Sequence, residues 1–137
     1  MRPNTPILLV EDDEVDLMTV QRALNEIHIT NPLQTAANGE EALAVLRDPA
    51  NKRPGIILLD LNMPRMNGVE FLRIIRADPE LRRMPVVVLT SSREEQDRVE
   101  SFDLGVAGYM IKPVDYRQFV EVVRAIDFYW TLSELSD

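Results

Sequence analysis

Short apolar runs that stop abruptly at polar residues constrain this chain most. Ile7-Leu8-Leu9-Val10 stops at Glu11-Asp12-Asp13, Ile56-Ile57-Leu58-Leu59 at Asp60, Val86-Val87-Val88-Leu89 at Thr90, and Met110-Ile111 at Lys112. Short apolar runs between helical patterns read as strands buried in a parallel sheet. Ligands of an open parallel sheet gather at the carboxyl ends of its strands. Carboxylates, a hydroxyl and an ammonium are therefore expected to converge on one edge. Those groups can hold a divalent metal and a phosphoryl group.

Five strand–helix units are expected. The first strand is about Ile7–Glu11. A helix from about Glu14 to Ile27 follows, with Val15, Met18, Ala23, Leu24 and Ile27 at near-helical spacing. The second strand is about Leu33–Ala37, and Asn38-Gly39 opens a helix whose apolar face is Ala42, Leu43, Val45 and Leu46. The third strand, Ile56–Asp60, leads through the loop to Gly68 into a helix carrying Val69, Phe71, Leu72, Ile74 and Ile75, broken at Asp78-Pro79. The fourth strand is Val86–Thr90. Ser91-Ser92 can cap the next helix, which Gly105 ends. The fifth strand is about Gly108–Lys112, and Asp115 can cap a last helix carrying Phe119, Val120, Val122, Val123 and Ile126. This alternation implies an α/β fold: a doubly wound, flavodoxin-like (βα)5 parallel sheet in the order 2-1-3-4-5. The expected division is a lead-in at 1–6, one domain at 7–127 and an extension of the last helix at 128–137, which leaves no room for a separate output domain.

The 137 residues suit one domain with a core that needs no staple. With no cysteine there are no disulfides and no thiolate metal sites. A formal net charge of −8 argues against nucleic-acid binding, and Arg82-Arg83 reads as a solvated turn. No apolar run is long enough to span a membrane and the polar start is no signal peptide, so a cytoplasmic location is expected.

In the 2-1-3-4-5 order the first and third strands are neighbours, which would bring Glu11, Asp12 and Asp60 together. Two charges ~5 Å apart at an effective dielectric of ~20 repel by roughly 3 kcal/mol. Three carboxylates therefore need a counter-cation. Oxygen ligands favour a hard ion, Mg²⁺ first and Mn²⁺ as a possible substitute, with Lys112 adding positive charge. Either Asp12 or Asp13 can instead cap the first helix. His28, the only histidine, reads as an ordinary surface or partly buried residue.

The motifs resemble the receiver domain of two-component response regulators over about Ile7 to Ile126. They are Glu11-Asp12, Leu59-Asp60-Leu61-Asn62-Met63-Pro64 with Gly68, Leu89-Thr90-Ser91-Ser92, and Gly105-Val106-Ala107-Gly108-Tyr109-Met110-Ile111-Lys112-Pro113. The resemblance implies that Asp60 takes a phosphoryl group from the phosphohistidine of a sensor kinase. It implies that Glu11, Asp12, Asp60 and the Asn62 carbonyl hold Mg²⁺, and that Thr90 and Lys112 engage phosphoryl oxygens. It also implies a cis Lys112-Pro113 bond and a rotameric switch at Tyr109, whose alternative is a half-buried packing aromatic. Phosphoryl transfer would be self-catalysed, with no metabolic reaction. Glu11 where many receivers carry Asp, and Val114 after Lys112-Pro113 where many carry Phe, are mild departures. Asn62 and Ser92 occupy positions that tune dephosphorylation in the family.

Phe128, Tyr129 and Trp130 are three consecutive aromatics after an already complete fold. Aromatics are enriched at interfaces, so a homodimer is expected there, the alternative being that the last helix runs longer and tucks them onto its own core. The resemblance implies that the fourth helix, fifth strand and last helix form the switching surface on which a symmetric dimer would sit. The tail and the segments 48–55 and 78–85 resemble stand-alone receivers paired with bacteriophytochrome histidine kinases. The alternatives are a phosphate sink or shuttle, or a pseudo-receiver used only for interaction. A haloacid-dehalogenase-like phosphohydrolase would want Asp at Asn62, and a flavodoxin-like carrier would not place Glu11-Asp12-Asp13-Glu14 against a phosphate.

Overall fold

The computed structural model describes residues 4–26, 28–63, 65–115, 117–122 and 124. Their elements are β1 (Ile7–Val10), α1 (Glu14–Glu26), β2 (Leu33–Ala36), α2 (Gly39–Arg47), β3 (Ile56–Asp60), α3 (Gly68–Ala77), β4 (Val86–Thr90), α4 (Arg93–Ser101) and β5 (Gly108–Ile111). Residues 117–122 form a further helical stretch. The five strands are parallel in the order β2-β1-β3-β4-β5, as the alternation implied.

Strand side chains alternate between two faces, and this divides the core. Leu8, Val10, Ile57, Leu59, Val86 and Val88 face one way and pack with Ala42, Leu43, Phe71, Leu72, Ile75 and Val99. Ile7, Leu9, Ile56, Leu58, Val87 and Leu89 face the other and pack with Val20, Ala23, Leu24 and Phe119. The three central strands are buried throughout, whereas β2 and β5 at the edges are only partly buried.

Caps set the helix starts. Asn38, Asn67 and Ser92 each accept the N–H of a glutamate three residues on, at 2.9, 2.9 and 3.1 Å. Asp13 accepts the N–H of Asp16 at 3.0 Å, so Asp13 is the acid that caps α1. Asp115 accepts the N–H of Gln118 at 3.0 Å.

Three expectations change. Val15 and Met18 are not on the buried face of α1; they are 71% and 61% exposed. The buried stripe is Val20, Ala23 and Leu24 with Leu17 beside it, because only these face the sheet. Helix α4 ends at Ser101 rather than running to Gly105. Asp103 (φ 52°) and Gly105 (φ 64°) lie in the left-handed region, and Arg76 holds the carbonyls of Leu104 and Gly105, so the chain has left the helix there. Three strands stop one residue early, at Val10, Ala36 and Ile111. The Glu11 and Lys112 N–H groups still bond Ala36 and Thr90 carbonyls at 2.9 and 2.8 Å, so the backbone stays anchored where the polar side chains begin. Ile27, Pro64, Val123, Ile126 and the aromatics Phe128, Tyr129 and Trp130 lie outside the described residues.

Gly68 starts α3 against the chain that leaves β3. A Cβ there would lie 2.7 Å from both the Asp60 carbonyl oxygen and Leu61 Cα, which are backbone atoms with little freedom to yield. Gly68→Ala is expected to cost about 1–3 kcal/mol in urea unfolding, the range for overpacking a tight site.

Candidate functional site

The carboxyl edge of the sheet gathers the expected groups. One carboxylate oxygen from each of Glu11, Asp12 and Asp60 lies within 4.8 Å of the others. Glu11 and Asp60 are each only 2% exposed, while Asp12 is exposed. β1 and β3 are direct neighbours, with Val10 opposite Leu59, so the residues that follow must meet.

Lys112 crosses from the end of β5 into this cluster. Its Nζ is 2.9 Å from Glu11 Oε2, Asp16 Oδ2 and Asp60 Oδ1. The Asp16 contact has hydrogen-bond geometry. The contacts to Glu11 Oε2 and Asp60 Oδ1 are ion pairs at the same distance but lack well-directed hydrogen-bond geometry, so both buried oxygens keep unused acceptor capacity. Burial would by itself lower the Lys112 pKa, but the hydrogen bond it donates to Asp16 and its ion pairs with Glu11 and Asp60 override this and raise it, keeping the ammonium charged. Burial pushes the Glu11 carboxyl up to about 7 from an ordinary 4.5; Lys112 pulls it back and the Asp60 charge adds to the rise.

Thr90 ends β4 fully buried, and its hydroxyl has no hydrogen-bond partner among the described residues. A buried hydroxyl left unpaired costs about 1–3 kcal/mol, so this group is held ready for a ligand or a movement. Tyr109 pairs with Val88 across β4 and β5, while Thr90 pairs with Ile111. By strand alternation Thr90 and Tyr109 share one sheet face. The Tyr109 ring is half-buried against the core on that face, and burial with the Glu100 charge pushes its hydroxyl up to about 12. Lys112-Pro113 is cis, as the resemblance implied.

Asn62 lies two residues past Asp60 at the exposed mouth, and its amide donates to Glu95 at 3.2 Å. His28 is exposed and far along the chain from the cluster's motifs, which matches its bland reading.

Asp16 and Gln118 are site residues that sequence reasoning did not find. Asp16 sits one turn into α1 and holds Lys112. Its signal was present: Asp13 as cap places residue 16 in the first helical turn, beside the cluster. Gln118 accepts the Ile111 N–H at 2.8 Å and donates to the carbonyls of Ile111 and Pro113 at 3.1 and 3.2 Å, fixing the backbone on either side of Lys112. Nothing in its sequence position announces that role.

The three carboxylates, with unmet acceptor capacity on Glu11 and Asp60 and Asp12 open to solvent, form a hard oxygen donor set that fits a divalent cation. No helix among the described residues is long and apolar enough to cross a membrane.

Comparison with known proteins gives one consistent result. The family model described as "Response regulator receiver domain" matches residues 7–124. Response regulator Rcp1 of Synechocystis sp. is 38% identical over 132 residues, covering 93% of this chain and 90% of its own. Its Mn²⁺-bound structure aligns with a TM-score of 0.72 at 38% identity, over 92% of this chain and 94% of that one. The bacteriophytochrome response regulator RtBRR aligns with a TM-score of 0.84 at 42% identity, over 89% and 77% of the two chains. The phosphorylated cyanobacterial phytochrome response regulator RcpA gives 0.74 at 39% identity, over 93% and 94%.

Glu11 gives the site a pH dependence. Its folded pKa is raised, so between 4.5 and about 7 the unfolded chain has lost a proton that the fold keeps, and the metal-free fold loses stability as pH rises across that window. A divalent cation must displace that proton. Calorimetric titration with Mg²⁺ or Mn²⁺ should therefore show affinity strengthening as pH rises through about 7, with proton release that fades above it. Glu11→Gln should flatten the profile.

Proposed function

We propose that this chain, which belongs to the response regulator receiver domain family, is a phosphoacceptor switch that takes a phosphoryl group on Asp60. The observation that carries the reading is the grouping at one sheet edge of a buried Asp60, an ammonium at 2.9 Å and a buried hydroxyl without a partner.

Phosphoryl transfer needs positioning and charge neutralisation more than covalent help. Glu11, Asp12 and Asp60, with the Asn62 carbonyl, would hold Mg²⁺, which when bound offsets carboxylate and phosphoryl charge. The Asp60 carboxylate oxygen forms the new bond to phosphorus as the donor imidazole of a histidine kinase leaves. Lys112, already poised at Asp60, pairs with one phosphoryl oxygen. Thr90 gives another its unused O–H. Drawing Thr90 inward would vacate space on the sheet face it shares with Tyr109, and the ring can follow. The modification adds nearly two negative charges. Complete switching needs ~5.5 kcal/mol of differential stabilisation, and charge-assisted bonds from Lys112 and Thr90 supply part of it.

Likeness to RtBRR, RcpA and Rcp1 supports a bacteriophytochrome-type histidine kinase as the donor. The Mn²⁺-bound state of Rcp1 and the phosphorylated state of RcpA support the metal and the modification. A homodimer through Phe128, Tyr129 and Trp130, and a cytoplasmic location, rest on the sequence.

Incubation with acetyl phosphate and Mg²⁺ should add one phosphoryl group to the intact mass. The addition should vanish in Asp60→Asn and when Mg²⁺ is chelated. No addition from acetyl phosphate or from a phosphorylated kinase would sink the switch and leave an interaction module. In phosphotransfer time courses, a bacteriophytochrome kinase should label the chain faster than an unrelated histidine kinase. Equal rates would remove the phytochrome pairing and spare the switch.

A further inference from the structure

Gln118 stands in the first turn of the helical stretch at 117–122. Its N–H is capped by Asp115 at 3.0 Å, and Phe119 beside it is buried in the core, so the root of its side chain is fixed. The side-chain amide reaches back to the end of β5. Its Oε1 accepts the Ile111 N–H at 2.8 Å, and its Nε2 donates to the Ile111 and Pro113 carbonyls at 3.1 and 3.2 Å. A side-chain amide has one oxygen and two N–H donors, and here each of them has a backbone partner. Capping of the helix needs none of these bonds.

β5 is an edge strand with β4 on one side only. The Lys112 N–H points to that side and bonds the Thr90 carbonyl at 2.8 Å. Backbone polar groups alternate in direction along a strand, so those of Ile111 point to the open side. Gln118 meets them as the backbone of an adjoining strand would. Lys112 is thus tied to β4 through its own N–H, while the residues before and after it are tied to Gln118. The lysine stem is long and rich in rotamers, so the place its ammonium reaches depends on where its backbone is held. That ammonium stands 2.9 Å from each of Glu11, Asp16 and Asp60, an arrangement a small shift of the root would undo.

We infer that Gln118 is a positioning residue for Lys112: it holds the backbone from which the ammonium reaches Asp60, and so governs how fast Asp60 takes up a phosphoryl group. The hold on Lys112 stands on the geometry alone, and the effect on uptake rests on the phosphoacceptor reading. In uptake from acetyl phosphate, the Asp60 oxygen forms a bond to phosphorus and the bond from phosphorus to the acetate oxygen breaks. Acetate leaves with the electron pair. Lys112 pairs with a phosphoryl oxygen throughout and gives up no proton.

Lys52 and Lys112 are the only lysines, so ¹⁵N-lysine labelling leaves two side-chain ammonium groups to follow by NMR. In the metal-free protein, Gln118→Ala should speed proton exchange of the Lys112 ammonium with water about tenfold, and leave Lys52 within about twofold of wild type. Gln118→Glu keeps an acceptor for the Ile111 N–H but loses both donors and sets a carboxylate against two carbonyls, so it should match Gln118→Ala. Uptake from acetyl phosphate with Mg²⁺, read by intact mass, should slow about tenfold in both variants. In a Lys112→Ala background, Gln118→Ala should slow uptake no further, because it acts only through Lys112. A residue that merely stabilised the fold would slow both backgrounds alike. Unchanged Lys112 exchange in Gln118→Ala, or slowing of uptake that persists without Lys112, overturns the inference. Where Lys112→Ala takes up too little to follow, the exchange rates decide, and where Gln118→Ala does not fold, Gln118→Glu decides by the same readings. A wild type that takes up no phosphoryl group overturns the phosphoacceptor reading and leaves the exchange rates to judge the hold on Lys112.

Discussion

The ammonium of Lys112 is the interaction on which this site depends. Glu11 and Asp60 are nearly excluded from water, and two buried carboxylates side by side cannot both remain charged without a cation. Lys112 supplies one positive charge to three carboxylates at equal distance. Burial pushes the Glu11 carboxyl up to about 7, and the single charge of Lys112 does not pull it all the way back. The same shortfall gives the cluster its appetite for a divalent ion. An ammonium shared among three acids is also free to redistribute: a phosphoryl group on Asp60 offers it new oxygens, while Asp16 on α1 holds it within reach. The site is thus underneutralised at rest: a divalent cation would lower the imbalance, whereas a phosphoryl group would add negative charge and raise the demand for that cation.

The sheet turns that electrostatic problem into a conformational one. Parallel pairing places Asp60 opposite Leu89 and Thr90 opposite Ile111, so acid, hydroxyl and lysine are one rung apart on neighbouring strands. Backbone bonds from Glu11 to Ala36 and from Lys112 to Thr90 extend the ladder to the first polar residue on β1 and β5. The backbone is therefore hydrogen-bonded up to the residues that form the cluster. What is left loose is specific: the Thr90 hydroxyl lacks a partner, and Tyr109 on the same face is only half-buried. A hydroxyl left without a partner in such a frame has a direction in which to relax.

Most of the frame was legible because strand ends are written in residue type. The change from Val, Ile or Leu to Asp, Thr or Lys marks where the sheet meets solvent, and the βα alternation determines which ends are neighbours. Asp16 was missed because its role depends on where α1 leans, and periodicity alone chose the wrong stripe, taking Val15 and Met18 as buried. Spacing shows that a helix has an apolar face but not how it rotates against the sheet when exposed apolar residues adjoin that face. The end of α4 was misplaced for a related reason. Glycine marks a left-handed residue, and Gly105 is one, but Asp103 had already turned the chain. Gln118 was invisible because a glutamine that binds backbone has no pattern.

The opposite edge of the sheet is tied together by one arginine. Arg76, at the close of α3, donates to the carbonyls of Leu104 and Met84 at 2.7 and 2.8 Å, and to those of Arg82 and Gly105 at 3.1 Å each. One rigid guanidinium thus joins the approach to β4 with the loop that leads into β5. Breaking it would leave the part-buried carbonyls of Leu104 and Met84 without that donor, at about 1–3 kcal/mol each where they stay shielded from water. At the carboxyl edge the balance reverses: Thr90 gains a partner by moving, and Glu95 can exchange its Ser91 and Asn62 bonds for water because its carboxylate is not fully buried. Displacement of the β4–α4 loop and the start of α4 is therefore cheaper than displacement of the segments that Arg76 ties together. That loop leaves β4 at Thr90, one rung from Asp60.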